Sequence, residues 1–167
     1  MNSVSSELAD WRREFKKWYE WNPAKSLLAS IRSYQNADRL WLPIGIVVKK
    51  TAVFRHRFWS VVTGADIPLS CDIGGGLILP HPNGIVIHPG AKIGPNCLIF
   101  QQVTIGTIYG DAPTISGHVD IGAGAKVLGK ISIGENSKIG ANAVVLSNIP
   151  ANATAIGIPA KIHNCKQ

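Results

Sequence analysis

An aliphatic residue recurs every six positions between Ile67 and Ile149, and this period constrains the fold more than any other feature of the chain. A helix would repeat its apolar face about every 3.6 residues and a strand about every 2, so neither element explains the spacing. A repeat of six predicts a β-solenoid, in which three short strands make one coil of about 18 residues and the coils stack at about 4.8 Å. Two rows are expected to fill the interior: Ile115, Ile121, Val127, Ile133, Ile139 and Val145, then Val119, Ala125, Ile131, Ser137, Ala143 and Ile149.

A glycine directly follows the aliphatic residue in many of the repeats. Because glycine has no Cβ, we expect these residues to let the chain turn the corners of the coil. They are Gly74, Gly94, Gly106, Gly122, Gly134 and Gly140.

The six-residue repeat is interrupted twice. Two extra residues fall between Leu79 and Ile87, and four fall between Ile105 and Ile115. Since the interior of a solenoid is filled, insertions bulge outward, and outward loops are where such scaffolds carry function. Both insertions are therefore candidate walls of a functional site.

The repeat predicts three regions: a basic, Trp-rich helical arm over 1–64, the solenoid over 65–162 and a short tail over 163–167. The arm is basic because residues 1–60 carry 11 of the 17 Lys and Arg of the chain but only 5 of its 10 acidic residues.

Within the arm, apolar residues spaced by three and four predict a helix over 5–21. A second helix is predicted over 24–40, and a mostly helical segment over 44–62 after an interruption at Pro43.

The tryptophans and basic residues of the arm allow contact with an anionic membrane surface or another polyanion. Packing on the end of the solenoid or on a neighbouring subunit is the simpler interpretation, and the absence of a nucleic-acid-binding module argues against nucleic acid as a partner.

No apolar run reaches the length of about 18 residues of a membrane span, and no signal-peptide core is present, which predicts a cytoplasmic protein. Three scattered cysteines agree with this prediction, with Cys71 and Cys97 as core residues and Cys165 in the tail.

His81 is the strongest candidate for chemistry. It lies in the first insertion between Pro80 and Pro82, whose restricted backbones stiffen the chain around the imidazole. Asp66 precedes His81 by close to one coil, so the two are predicted to be stacked neighbours. An imidazole oriented by a carboxylate can take a proton from an attacking hydroxyl.

From about Ala65 to Ile162 the chain resembles the left-handed β-helix hexapeptide-repeat acyltransferases, and it looks most like their serine O-acetyltransferase branch. The resemblance rests on ADIPLSCDIGGGLILPHPNGIVI, IFQQVTIG, IGAGAKVLGKISIGENSKIGANAVVL and AIGIPAKI. It implies a left-handed parallel β-helix with an N-terminal α-helical arm.

The resemblance also implies an activity and a set of site residues. His81 would be the general base oriented by Asp66, and acetyl-CoA would be the donor, bound between adjacent subunits of a homotrimer or of a dimer of such trimers. No metal is expected. The residues expected along the donor are Gly106 and Thr107 near the thioester, Ala123 and Ala141 through their backbones, and Lys126 and Lys161 at the CoA phosphates.

The chain departs from the serine enzymes of this family at two places. Pro80 stands where those enzymes have an Asp before the catalytic His, and their Gly-Asp-Arg-His-Pro loop reads Gly110-Asp111-Ala112-Pro113 here, without the Arg-His. A serine carboxylate left without its cation would lose a contact worth about 1.5 to 3 kcal/mol. We therefore expect a sugar hydroxyl of a surface polysaccharide or its precursor as acceptor, contacted by Tyr109 and Asp111, with L-serine as the alternative.

Three other possibilities can be weighed from the sequence: a complex with cysteine synthase, a zinc hydratase and a non-catalytic scaffold. Lys166-Gln167 does not match the isoleucine-ended tail that engages cysteine synthase, so no such complex is expected. A zinc hydratase of the same shape would need three aligned histidines, but His81 and His88 are seven apart, off the repeat. A non-catalytic scaffold is compatible with the repeat alone, although the His81–Asp66 spacing argues against it.

Overall fold

The computed structural model describes residues 4–163, so the predictions for Cys165 and Lys166-Gln167 lie outside the described residues. Two α-helices, α1 (Pro23–Asn36) and α2 (Leu42–Thr63), are accompanied by short 3-10 helices at Trp11–Arg13 and Ala37–Arg39. Short strands follow: β1 (Asp72–Ile73), β2 (Val86–Ile87), β3 (Lys92–Ile93), β4 (Leu98–Ile99), β5 (Thr104–Gly106), β6 (Thr114–Ile115), β7 (Asp120–Ile121), β8 (Lys126–Leu128), β9 (Ser132–Ile133), β10 (Lys138–Ile139), β11 (Val144–Val145), β12 (Thr154–Ile156) and β13 (Lys161–His163).

The strands form three parallel sheets, which are the three sides of a β-helix. Their orders are β1-β3-β6-β9, β2-β5-β8-β11 and β4-β7-β10-β12, and β13 pairs antiparallel with β12 at the end of the third sheet. The predicted fold class is confirmed. In the sheet that contains β2, position 66 pairs with 86, 86 with 104, 104 with 126 and 126 with 144. The first and third of these coils are longer than the other two because they contain the two insertions.

Both predicted rows of side chains lie in the core. Every member of the two rows is buried, including the polar Ser137, whose Oγ donates to the carbonyl oxygens of Gly134 and Pro150. Ser137 is tolerated inside because its hydroxyl has these partners.

The predicted role of the glycines needs a correction. None of the six predicted corner glycines has a positive φ. At Gly74, Gly94, Gly122 and Gly134 the backbone of the next coil approaches too closely for a side chain: a Cβ on Gly122 would lie 2.6 Å from the Ala141 nitrogen. The left-handed conformation occurs instead at other residues, often an Asn, whose side chain tolerates it: Gly76, Gly84, Asn96, Gln102, His118, Gly124, Asn136, Asn142 and Asn152.

Two of the three helical predictions for the arm are confirmed, and one is wrong. Helix α1 and the following 3-10 helix match the prediction over 24–40, and α2 matches the segment over 44–62. Pro43 does not interrupt this segment but lies in the first turn of α2, where the missing N–H of proline costs nothing. No α-helix forms over 5–21, where the structure has only the 3-10 turn at Trp11–Arg13.

The segment over 5–14 is not helical because its polar groups bind the corners of the β-helix. The amide of Asp10 donates to Asn96 Oδ1 at 2.8 Å, and Asn96 Nδ2 donates to the carbonyl oxygens of Ser5 and Leu8 at 2.7 Å each. Glu14 accepts from the Leu77 amide at 3.1 Å. The segment therefore runs along one corner of the β-helix, where Asn96 satisfies one backbone group each of Ser5, Leu8 and Asp10.

Candidate active site

The first insertion is held firmly at its base. The Gly84 amide donates to the Gly64 carbonyl oxygen at 2.8 Å, and Asn83 Oδ1 accepts from Gln102 Nε2 at 3.1 Å. Gly84 has a φ of 69°, a conformation that favours glycine. His81 precedes this anchored turn and is exposed.

His81 lines a cleft of about 450 Å³ between the first insertion and the arm. Three parts of the chain form its walls: the start of α1, the end of α2 and the insertion. The lining residues are Trp21, Asn22, Pro23, Ala24, Val62, Thr63, Pro80, His81, Pro82 and Asn83. An imidazole at such a cleft can reach a bound hydroxyl, which is the geometric requirement for a general base.

Asp66 lies beside the insertion but not in its cleft. Its backbone pairs with Val86, because Asp66 N donates to Ile85 O at 2.8 Å and Asp66 O accepts from Ile87 N at 2.9 Å. The insertion lengthens this coil, so Val86 and not His81 is the stacked partner of Asp66. Among the described residues, no hydrogen bond joins the Asp66 carboxylate to the imidazole.

The two described cysteines are both buried, as predicted for core residues. Burial raises the pKa of the Cys71 thiol to about 11, and the nearby Asp66 carboxylate adds to the rise. Burial likewise raises the pKa of Cys97 to about 11. Neither thiol is a nucleophile at neutral pH, because the reactive thiolate is almost absent.

The predicted donor residues lie on the later coils. Gly106 ends β5 and pairs with Leu128, and Thr107 leads into the second insertion. Ala123 and Ala141 are stacked at one corner, where the Asn142 amide donates to Ala123 O at 2.8 Å.

The two predicted phosphate-binding lysines are not brought together on one sheet. Lys126 lies on β8, and its Nζ already donates to Gln102 O at 2.8 Å and to Thr104 Oγ1 at 3.1 Å. Lys161 lies on β13, in the third sheet, and is exposed.

The second insertion does not line the cleft of His81. Ile108 and Asp111 form a short antiparallel bridge, and Tyr109 at its tip is fully exposed. Asp111 lies 3.7 Å from Lys130 Nζ, with both side chains largely in solvent. Within a single chain, neither Tyr109 nor Asp111 lines the cleft.

The cleft wall supplied by the arm was not foreseen from the sequence. Trp21 makes an edge-on contact with Trp59, with ring centroids 5.6 Å apart, and Asn22 Oδ1 caps α1 by accepting from the Lys25 amide at 3.0 Å. The Asn22-Pro23 pair was a visible signal for the start of α1, but nothing in the spacing indicated which part of the β-helix it would face.

Residues 4–163, the described part of the chain, contain no group of three or more His, Cys, Asp or Glu that could hold a metal ion. They also contain no helix with the length and apolar character to cross a bilayer.

No protein-family model matches the chain, but individual proteins do. The serine acetyltransferase of Helicobacter pylori is 45% identical over 124 residues, which are 66% of this chain and 72% of that protein. The serine acetyltransferase of Staphylococcus xylosus is 38% identical over 155 residues, 86% of this chain and 72% of that protein. Other curated serine acetyltransferases, such as that of Synechococcus elongatus, are longer. The chain spans about half the length of three of them, with matched shares of 43%, 48% and 52% of the relative.

Solved structures of serine acetyltransferases also match the chain. A serine acetyltransferase in complex with CoA matches 86% of this chain and 58% of its own, with a TM-score of 0.71 and 34% identity. A soybean serine acetyltransferase complexed with serine matches 80% of this chain and 56% of its own, with a TM-score of 0.66 and 35% identity. With this coverage and identity, and with the shared β-helix, the chain belongs to the serine acetyltransferase family.

Proposed function

We propose that the protein is an acetyl-CoA-dependent O-acetyltransferase with His81 as its general base. The observation that carries this proposal is the position of His81, which lies in the cleft between the first insertion and the arm, within a chain of this family. The flanking prolines and the anchored turn at Gly84 limit the motion of the imidazole.

The chemistry is a direct transfer. His81 takes the proton of the acceptor hydroxyl while the hydroxyl oxygen attacks the acetyl carbonyl carbon, and backbone N–H groups stabilise the oxyanion. The carbon–sulfur bond of the thioester then breaks, and the imidazolium returns its proton to the leaving thiolate. The products are an acetyl ester and free CoA thiol, and no acyl group is passed to the protein, in keeping with the burial of Cys71 and Cys97.

We propose Asp66 as the residue that positions His81. Asp66 lies two residues from Gly64 and His81 three residues from Gly84, and a hydrogen bond joins these two glycines. The two exposed side chains therefore extend from neighbouring backbone segments, which supports the proposal that they act together.

The role of Asp66 is tested with Asp66→Asn. This change should lower kcat and leave the KM for acetyl-CoA unchanged, because the amide can no longer stabilise an imidazolium. Asp72→Asn, another exposed carboxylate at the start of a strand, is the matched control.

The names of the relatives favour L-serine as the acceptor over the sugar hydroxyl expected from the sequence. A sugar hydroxyl is kept as the second candidate because of one observation on the cleft. The described residues that line it include no Asp, Glu, Lys or Arg, so none of these side chains is available to pair with the charged groups of an amino acid. Trp21 at its wall is an apolar surface on which a sugar ring could stack.

For the donor, we propose the corner at Ala123 and Ala141, with Gly106 and Thr107 near the thioester. The stacked small side chains leave the backbone of this corner approachable, and Ala141 is exposed. Of the two proposed phosphate ligands, Lys161 is available, whereas Lys126 would have to exchange its bonds to Gln102 and Thr104.

We also propose a homotrimer in which the donor lies between subunits. Tyr109 and Asp111 can contact the acceptor only across such a boundary, because they lie outside the cleft of their own chain. Sedimentation velocity measures the assembly directly, and a monomer at micromolar concentration would contradict this proposal.

The activity is tested by following release of the CoA thiol from acetyl-CoA with L-serine and with a panel of neutral sugars. His81→Ala should abolish the release, while His88→Ala, which removes an imidazole outside the cleft, should retain it. Transfer to serine supports the first acceptor, and transfer to sugars alone supports the second. Full activity in His81→Ala would overturn the proposed mechanism.

A further inference from the structure

Helix α2 exposes most of its apolar side chains. Its contact with the rest of the chain is a narrow stripe, in which Gly45 and Ala52 are buried and His56 Nε2 lies 2.8 Å from Ile67 O. A Cβ on Gly45 would lie 2.7 Å from Ala37 O, so the buried side of α2 packs closely against the segment before it. Val48, Val53 and Trp59 are half-buried, and Leu42 and Ile46 are exposed on another side of the helix. Six further apolar side chains, which we call the α2 apolar face, are exposed together on one side: Ile44, Val47, Phe54, Phe58, Val61 and Val62.

The α2 apolar face is free of charged residues. With about 100° between successive residues, it covers an arc of about 100° around the helix, from Val61 on one side to Ile44 and Val62 on the other. It includes Phe54 and Val61, which are 76% and 84% exposed.

The charges on α2 have one sign. The helix contains Lys49, Lys50, Arg55 and Arg57 and no Asp or Glu. Lys49 forms an ion pair with Asp38 at 2.5 Å, but the other three have no ion pair among the described residues. In the same helical projection, Lys50 and Arg57 lie on one flank of the apolar arc and Arg55 on the other.

This charge distribution argues against a second copy of the chain as the occupant. Two copies packed through α2 would bring their unpaired cations together, with no acidic residue on either helix to offset them. An anionic lipid surface supplies the complementary charge, and long cationic side chains beside an apolar arc can extend to lipid headgroups while their stems stay apolar.

We propose that α2 lies flat in the surface of an anionic lipid bilayer, with the α2 apolar face inserted and Lys50, Arg55 and Arg57 at the headgroups. The exposed Trp41, directly before the helix, lies where an indole ring favours the boundary between headgroup and acyl chain. The helix does not span the bilayer, since no helix within residues 4–163 is long and apolar enough to do so. This contact would hold the cleft of His81 near a membrane, because α2 ends at Val62 and Thr63 in the cleft wall.

The test is co-sedimentation of the full chain with vesicles of phosphatidylcholine alone and with vesicles in which phosphatidylglycerol replaces part of the phosphatidylcholine. The wild type should bind the anionic vesicles and bind the neutral vesicles far more weakly, with a blue shift of tryptophan emission. Phe54→Gln with Phe58→Gln should lower binding at least about tenfold, because two aromatic side chains no longer insert. Lys50→Gln and Arg57→Gln should each lower it about fivefold at low salt.

Two exposed residues on the β-helix are the matched controls. Leu146→Gln removes an exposed apolar side chain and Lys138→Gln an exposed cation, both outside the arm, and neither should change vesicle binding. Circular dichroism melting of each variant checks that it folds. Equal binding to both vesicle types, no binding to either, or α2 variants that dissociate an oligomer without changing vesicle binding would each overturn the proposal.

Discussion

Asn96 is the residue through which the β-helix holds the N-terminal segment, and its replacement by alanine should release that segment. The side chain is completely buried and makes three hydrogen bonds, which join it to the amide of Asp10 and the carbonyl oxygens of Ser5 and Leu8. Asn96 also has a φ of 60°, a conformation that Asn tolerates better than Ala does.

The cost of Asn96→Ala has two parts. Three lost hydrogen bonds at about 1 kcal/mol each amount to about 3 kcal/mol. The left-handed conformation of an alanine adds about 1 kcal/mol. Asn152→Ala separates the two parts, because Asn152 has the same φ of 60° but is exposed and its side chain makes no hydrogen bond within residues 4–163. Its cost should be only the second part.

Urea denaturation measures the total cost, and hydrogen exchange at the Asp10 amide reports the release of the segment. Asn96→Ala should lose about 4 kcal/mol of unfolding free energy and exchange this amide much faster, whereas Asn152→Ala should lose about 1 kcal/mol and leave the exchange unchanged. Equal losses in the two variants, or slow exchange at Asp10 in Asn96→Ala, would refute the assignment of Asn96 as the anchor.

Two further predictions concern the interior of the β-helix. Gly122→Ala should lower the unfolding free energy by about 1 to 3 kcal/mol in a urea titration, because its Cβ would meet the Ala141 nitrogen at 2.6 Å; an unchanged midpoint would show that the coils separate easily. In a Cys165→Ser variant, Cys71 and Cys97 should react with a disulfide reagent far more slowly at pH 8 than a free thiol does, because a pKa of about 11 leaves about one thiolate in a thousand. Their reaction should accelerate as the pH rises towards 11, and rapid labelling at pH 8 would contradict their burial.

Part of the candidate site could be predicted from the sequence. His81 could be identified because an insertion in a filled solenoid must project outward, and its two flanking prolines are readable from the chain. The partner of His81 was harder to predict, since counting back by one coil to Asp66 assumed a coil of ordinary length. The insertion that exposes His81 also lengthens this coil, so the backbone register pairs Asp66 with Val86.

The N-terminal segment shows why helical spacing can mislead. Leu8, Trp11, Phe15 and Trp18 have the spacing of an amphipathic helix, yet each of these side chains is largely exposed. Hydrogen bonds hold the segment, among them those between its backbone and the Asn96 side chain and the one that the Leu77 amide donates to Glu14. Apolar spacing contains no information about such bonds, because their partner lies far away in the chain.

The sequence by itself determined the β-helix, its three sides, its two rows of core residues and the positions of its two insertions. It could do so because each coil repeats the same six-residue environment, and burial of one row requires burial of the next. Only the tertiary structure decided the course of the arm, the cleft between Trp21 and His81 and the exposure of α2. These features depend on single contacts between residues distant in the chain, which no repeat enforces and no local spacing reports.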